Sequence, residues 1–456
     1  MGQKQLTPSL PWRAVMLPDP TEAQVRGRPR KRITREGAWV LGGQCASVVG
    51  SIALVNVGTR YLDPERYGQL SLALVVAGLG NQLILGGVAA SIARHLSIAL
   101  EKNHGNAYWR DSVRFFAAAA LIVLVLGLTG IAVLFALDAN QWIALGVAAI
   151  ALSITGGLTA TLSGVQNAAR HRASAALHGG ADAWLKIALS VMLLESLGAS
   201  PISVVIGCAA SATLIAASQT FALRNSFGPQ GSPSTESSYL RSMLTFAWPF
   251  SAWGLFAWLQ LASDRWALAG LATPEDVGQY AVLYQLGFAP LATLTTAAVT
   301  LLAPILYQRS GDATDRERNT GVHRMVWKAA GTSLVLTAIL FLVAMLIHEP
   351  LFRLLVASDF RTSAHLLPWM VLAGGLHAAG QVLALKLLSE LRTARMTAAK
   401  IFSSVAGVAL NIAGAAWGGL LGVVIAQIAF AILYLAWMAA LTARRPASDT
   451  HAGITT

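Results

Sequence analysis

The charged side chains that interrupt the apolar stretches of this chain are where chemistry would reside. The stretch "GGADAWLKIAL" sets Asp182 and Lys186 four residues apart, a spacing that puts both on one face of a helix. Lys186 falls near the middle of an apolar block, where its stem reaches water poorly. The pair reads in two ways: a mutually neutralising contact that fixes packing, or an ion-pair gate or anion site in a cavity. The stretch "QLASDRWALAGL" places Asp264 beside Arg265. Adjacent helical residues do not share a face, so these two are not expected to pair simply with each other. Either they anchor an interface beside Trp258 and Trp266, or Arg265 contacts an anion and Asp264 is a coupling or gating carboxylate. Arg60 is a further cation candidate. An Arg at a helix centre in lipid costs about 2.5–3.5 kcal/mol on insertion scales, so such groups face a cavity or a partner.

Uncharged polar residues dot the same stretches: Gln44, Asn56, Asn81, Gln82, Gln260, Gln285, Gln381, Asn411 and Gln427. Most are expected in interhelical hydrogen bonds, with Gln260 a candidate for lining a cavity. His377 is expected to hydrogen-bond within the packing. Cys45 and Cys208 lie far apart in apolar runs and read as small packing residues, with no disulfide or metal site implied.

The elements that must position these groups are membrane helices. Of 456 residues, 55% are hydrophobic and 12% charged, against about 25% charged in a soluble domain; mean hydropathy is +0.58. The apolar residues fall in twelve blocks: Ala38–Gly58, Gly68–Ala90, Phe115–Leu137, Trp142–Ser163, Ala176–Leu194, Ile202–Leu223, Leu244–Leu271, Gly278–Ile305, Ala329–Ile347, His365–Leu385, Ile401–Trp417 and Leu421–Leu441. A block of about 20 residues crosses a bilayer. A large soluble helical protein would show charged helix faces, which are missing. The net charge of +12 does not point to nucleic acid, because the basic residues sit in short loops between the blocks. With the N-terminus inside, every Lys and Arg of the 33 falls on the inner side except Arg60, Arg66, Arg265, Arg353 and Arg361. That bias predicts twelve crossings with both termini cytoplasmic. The chain is expected to divide into a disordered basic tail (1–36), a six-helix bundle (37–223), a Ser/Gly/Pro-rich cytoplasmic linker (224–242), a second bundle (243–442) and a short tail (443–456). No cleavable signal peptide is read before the first block.

The chain writes Pro-Glu-x-x-Gly-Gln twice. Pro64, Glu65, Gly68 and Gln69 recur 210 positions on as Pro274, Glu275, Gly278 and Gln279. Each copy lies between the first and second block of its half, so the chain reads as an internal duplication. Six crossings per half give both halves one orientation, related by a pseudo-two-fold along the membrane normal. Asp63 or Thr273 suits an N-cap, Pro the first helical position and Glu the positive end of the helix dipole. Gly68 and Gly278 would let backbones approach closely. The motif is thus expected to start helices on the outer face, rather than to touch a substrate.

"LDPERYGQLSLAL" and "FAWPFSAWGLFAWLQLASDRWALAGLATPEDVGQYAVL" resemble the polysaccharide flippases of the Wzx type, in the multidrug/oligosaccharidyl-lipid/polysaccharide exporter superfamily. The matching features are Pro249, Asp264-Arg265 and Gly278-Gln279-Tyr280, with "GAAWGGLLGVVIAQ" resembling the family's C-terminal half. The resemblance implies an all-α twelve-helix transporter of two bundles, working by alternating access around a hydrated, often cationic cavity. It implies a substrate too: an isoprenoid-diphosphate-linked oligosaccharide moved from the inner to the outer leaflet of a bacterial inner membrane. The polymer served would be O-antigen, capsule or exopolysaccharide. Arg265, Lys186, Arg60 and Gln260 would then meet diphosphate and sugar, and Asp264 and Asp182 would couple or gate. Membrane lipids, a polysaccharide polymerase and chain-length machinery are the expected partners.

Two other readings compete. A multidrug/cation antiporter of the same superfamily would use Asp182 or Asp264 for Na⁺ or H⁺. A membrane polymerase or ligase would need a substantial catalytic outer loop. The longest here, about His348 to Ala364, holds His348, Glu349, Arg353, Asp359 and Arg361 in no catalytic arrangement. No P-loop, nucleotide fingerprint or metal-ligand cluster is read elsewhere. A transporter rather than an enzyme is therefore expected, without a cofactor. Its drive would be an H⁺ or Na⁺ gradient or downstream consumption of the substrate.

Overall fold

The computed structural model describes residues 29–102, 104–227, 238–310, 315–390 and 393–443. The expected tails at 1–28 and 444–456, and 228–237 of the expected linker, lie outside the described residues. Among the described residues every regular element is helical. In chain order these are α1 (Pro29–Tyr61), α2 (Pro64–Glu101), α3 (Gly105–Ala136), α4 (Ile143–Ala168), α5 (Arg172–Leu197), α6 (Pro201–Phe227), α7 (Leu240–Leu271), α8 (Pro274–Ser310), α9 (Arg316–Leu355), α10 (Leu367–Ser389), α11 (393–417) and α12 (420–443). Each apolar block of the sequence is one of these helices. α1 starts at Pro29, ahead of the expected Gly37.

Ten described stretches are long and apolar enough to cross a membrane, and one of them, Met396–Ala443, spans both α11 and α12. The break between these two is at Gly418 and Gly419, where Gly419 takes φ 52° and ψ −129°, a conformation essentially restricted to glycine. α7 completes the twelve with 32 residues, about 48 Å of helix. Pro249 lies inside it and removes one backbone hydrogen bond there. α2 and α8 each contain one π-helical turn, at Asn81–Leu85 and Tyr284–Phe288, and such turns redirect a helix locally.

Internal packing groups the chain into two units: residues up to Leu62 with Leu70–Trp258, and Asp63–Gln69 with Leu259 onward. In the first unit α2, α3 and the start of α7 bury one apolar cluster around Leu85, Ile92, Tyr108, Phe115 and Met243. Polar contacts dock the beginning of α7 against it. The Asp111 carboxylate, 1% exposed, accepts the Tyr239 backbone N–H at 2.7 Å. Ser91 donates to the Met243 carbonyl at 2.9 Å, and His95 Nε2 lies 2.9 Å from Ser242 Oγ. Asp111 thus satisfies a donor at the start of a helix that has no partner of its own in the helix. Asp111→Ala is expected to cost about 1–3 kcal/mol, the penalty of an orphaned buried donor, and Asp111→Asn less, since its amide oxygen still accepts. Thermal unfolding of the purified variants checks this order.

In the second unit α8–α10 and α12 bury Leu306, Val326, Leu383, Leu385, Phe430, Tyr434 and Met438. Lys386, 3% exposed, donates to the Thr442 carbonyl at 2.6 Å and lies 3.3 Å from Glu390, tying the last turn of α12 to α10. The two motif copies belong to this unit, and their caps form as expected. Thr273 Oγ1 accepts from the Asp276 N–H at 3.2 Å, and Asp276 accepts from the Thr273 N–H at 3.3 Å, a capping box. Asp63 caps the other copy, accepting the Arg66 N–H at 2.8 Å. The glycines meet reciprocally. A Cβ on Gly68 would stand 2.6 Å from the Pro274 carbonyl oxygen, and one on Gly278 would collide with the Pro64 carbonyl.

Candidate functional site

Asp264 and Arg265 lie on the last third of α7, in the second unit, and both are buried. Asp264 Oδ2 accepts the Tyr280 hydroxyl at 2.6 Å and Gln427 Nε2 at 3.2 Å. Its Oδ1 accepts the Arg265 backbone N–H at 2.7 Å and faces Arg265 Nη1 at 3.5 Å. The expectation that the neighbours do not pair is thereby corrected. The Arg265 side chain folds back along its own helix, donating from Nη1 to the Leu261 carbonyl at 3.1 Å. That turn carries the guanidinium within reach of the adjacent carboxylate, and inside a membrane helix a reachable carboxylate outcompetes distant water.

Aromatic faces complete the enclosure. The Arg265 guanidinium carbon sits 4.5 Å from the Tyr284 ring centroid and 5.8 Å from that of Tyr280, within cation–π range. The Tyr280–Tyr284–Phe288 stack follows α8 into its π turn, with successive centroids 6.2 and 5.0 Å apart. Two more contacts extend the polar face of α7: Asn411 donates to Ser263 at 2.9 Å, and Ser404 donates to Gln260 Oε1 at 3.2 Å. Gln260 is thus engaged with α11, while Gln427 reaches in from α12. The expected interhelical role of the uncharged polar residues holds for Gln260, Asn411 and Gln427. Sequence reasoning missed Tyr284 as a neighbour of the guanidinium. Its signal is the i+4 spacing from Tyr280, whose role in the motif was already in view.

The cluster carries one buried positive and one buried negative charge. The two charges lie within 3.5 Å of each other, so removing either one changes the surroundings of the other.

Asp182 and Lys186 belong to the first unit, on α5. Lys186 Nζ lies 2.5 Å from Asp182 Oδ2, as the four-residue spacing requires, and Ser211 donates to Asp182 Oδ1 at 2.9 Å. The pair keeps partial exposure, 31% for Lys186 and 17% for Asp182. Arg60 ends α1, exposed, in the same unit; its neighbour Tyr61 donates to Glu195. The expected site residues therefore fall into two groups, Asp264, Arg265 and Gln260 in the second unit and Asp182, Lys186 and Arg60 in the first.

Comparison with known proteins places this architecture. In solved structures the chain is similar to a lipid II flippase, MurJ, in an inward closed conformation, at 13% identity and TM-score 0.67, over 90% of this chain and 88% of that one. It is similar to the Vibrio cholerae transporter VcmN of the MATE type in its bent form, at 16% identity and TM-score 0.58, over 90% and 95% of the two chains. An outward-facing multidrug resistance MATE family transporter of the MOP superfamily matches at 18% identity and TM-score 0.54, over 92% and 97%. These likenesses establish the twelve-helix, two-lobe transporter fold. Sequence comparison with curated proteins gives no match. The family model described as "Polysaccharide biosynthesis protein" matches residues 33–310, more than half of the chain and including both copies of the motif and the Asp264–Arg265 pair. The chain belongs to that polysaccharide biosynthesis protein family.

Proposed function

We propose that this protein flips an isoprenoid-diphosphate-linked oligosaccharide from the inner to the outer leaflet of a bacterial inner membrane by alternating access. The product would serve O-antigen, capsule or exopolysaccharide assembly by a downstream polymerase and its chain-length machinery. The observation that carries the reading is the Arg265 guanidinium, buried and held between Asp264 and two tyrosine rings. A soluble sugar carrier has no need of a costly intramembrane cation, whereas a diphosphate drawn through a bilayer does. Asp264 masks that cation at rest. Protonation of the carboxylate, or a bound monovalent cation, would unmask it, which is how an H⁺ or Na⁺ gradient would couple to anion capture. The family supports the polysaccharide pathway, and the fold supports transport rather than catalysis. A multidrug antiporter reading has less support, because each candidate carboxylate is matched by a cation, Asp264 by Arg265 and Asp182 by Lys186.

Reconstitution tests this directly. Vesicles of phosphatidylethanolamine and phosphatidylglycerol are loaded with a fluorescent polyprenyl-diphosphate oligosaccharide, and a membrane-impermeant reductant bleaches the accessible leaflet. With the protein present, bleaching is expected to extend to the inner-leaflet label. Bleaching identical to that of protein-free vesicles refutes the function.

A further inference from the structure

With the termini on the cytoplasmic side, cations are scarce on the opposite face: Arg60, Arg66, Arg265, Arg353 and Arg361. Arg265 is buried on Asp264, and Arg66 lies 3.6 Å from Asp63. Arg353 and Arg361 converge. They line a hollow of about 340 Å³ in the second unit, together with His348, Glu349, Thr362 and His365. We propose that this hollow binds the phosphate of a membrane lipid in the outer leaflet. The proposal rests on the membrane orientation of the preceding reading but not on its cargo.

The hollow lies where α9 ends and the 3-10 segment Ser358–Leu366 turns the chain back toward α10. Its inner wall includes Phe352, which is fully buried. Arg361 Nη2 is 3.4 Å from both the Arg353 and Val356 carbonyl oxygens, at the negative end of α9, where a cation is favoured. That arrangement holds the guanidinium at the rim. Among the described residues the Arg353 guanidinium has one polar partner, Glu349 Oε2 at 3.4 Å, with both side chains about two-thirds exposed. A pair so exposed contributes little and yields readily to a phosphate, which matches the guanidinium fork. The imidazoles are set by their own helices: His348 Nδ1 lies 3.1 Å from the Met345 carbonyl, and His365 Nδ1 lies 3.1 Å from that of Thr362. Their Nε2 atoms have no protein partner among the described residues, which leaves them for a ligand. Two guanidiniums and two imidazoles thus face a single carboxylate.

Depth identifies the ligand as lipid. Leu346 and Leu354, on the same final turns of α9, are 81% and 72% exposed. Apolar side chains so bare belong among acyl chains, so the hollow sits at headgroup level. The phosphate has two sources, a bulk phospholipid or the polyprenyl carrier. Both present the same group at the same depth.

Native mass spectrometry of the full-length protein, released from zwitterionic detergent, tests the proposal with three probes: phosphatidylglycerol, polyprenyl phosphate and inorganic phosphate. The wild type is expected to retain a lipid phosphate. Arg353→Gln is expected to lower that retention roughly tenfold, the value of one charge-assisted contact. Arg353→Gln/His365→Gln should lower it further, and Arg66→Gln should leave it unchanged. Preference for polyprenyl phosphate over phosphatidylglycerol assigns the site to the carrier, and equal retention assigns it to phospholipid at large; either supports lipid-phosphate binding. Equal retention by wild type and Arg353→Gln overturns the proposal, as does binding of inorganic phosphate with neither lipid retained. Among the described residues the Arg353 side chain makes no contact to backbone, so its variant is expected to fold. The readout is binding, so a chain that fails to flip its substrate still reports on this site.

Discussion

Arg265→Ala is expected to abolish surface polysaccharide and to destabilise the protein by about 3–5 kcal/mol, because it strands a buried carboxylate without its cation. Loss of polymer alone would not separate function from folding. The separating variant is Asp264→Asn/Arg265→Gln, which removes both charges and keeps polar groups toward Tyr280, Gln427 and the Leu261 carbonyl. It is expected to recover most of the lost stability, since a buried pair replaced as a whole costs little. It is still expected to make no polymer, since no cation remains to meet a diphosphate. Thermal unfolding of purified protein and quantified surface polymer read the two effects separately. Normal polymer from the double variant would reduce the pair to a packing device. Arg265→Lys is expected to fall between: it keeps the charge but loses the planar group that lies over Tyr284.

The second large effect is steric. Gly278→Ala is expected to destabilise the second unit by about 1–3 kcal/mol, the usual cost of overpacking, and Gly68→Ala to do the same. In both cases the added Cβ meets backbone, the carbonyl of Pro64 or of Pro274. A side chain can swing aside; a carbonyl at a helix start cannot move without moving the helix. The double variant should cost less than the sum of the singles, because the first substitution already separates the helices that the second would push apart. The contrast is with Gly130 and Gly331, where nothing lies within 4 Å of an added Cβ. There, replacement by Ala is expected to gain up to about 1 kcal/mol from helix propensity. Thermal unfolding of the four single variants checks the sign at each position.

The expected helix starts were legible because capping is local. Thr273, Pro274 and Asp276 lie within one turn, and the capping bonds run between the Thr273 and Asp276 side chains and backbone of that same turn. The π turn at Tyr284–Phe288 was not legible, since no residue type marks it. The reach of Arg265 back to Asp264 was also misjudged from spacing alone. Helical geometry places Cβ atoms on different faces but does not limit a side chain long enough to fold along its own helix.

What the sequence by itself determined is everything that depends on chain-local chemistry: twelve apolar blocks, the last two parted between Trp417 and Leu421, the capped motif starts and the Asp182–Lys186 pair. Hydropathy, φ/ψ preference and i,i+4 spacing act over a few residues, so they can be read along the chain. Only the tertiary structure decided that Asp264 takes its other partners from Tyr280 and Gln427, and that Gly68 and Gly278 face each other. It also gathered His348, Arg353, Arg361 and His365 around one hollow. Those outcomes depend on how helices distant in sequence cross and in what register. A buried charge is satisfied by whichever group that crossing brings within hydrogen-bond reach, and no local spacing encodes it.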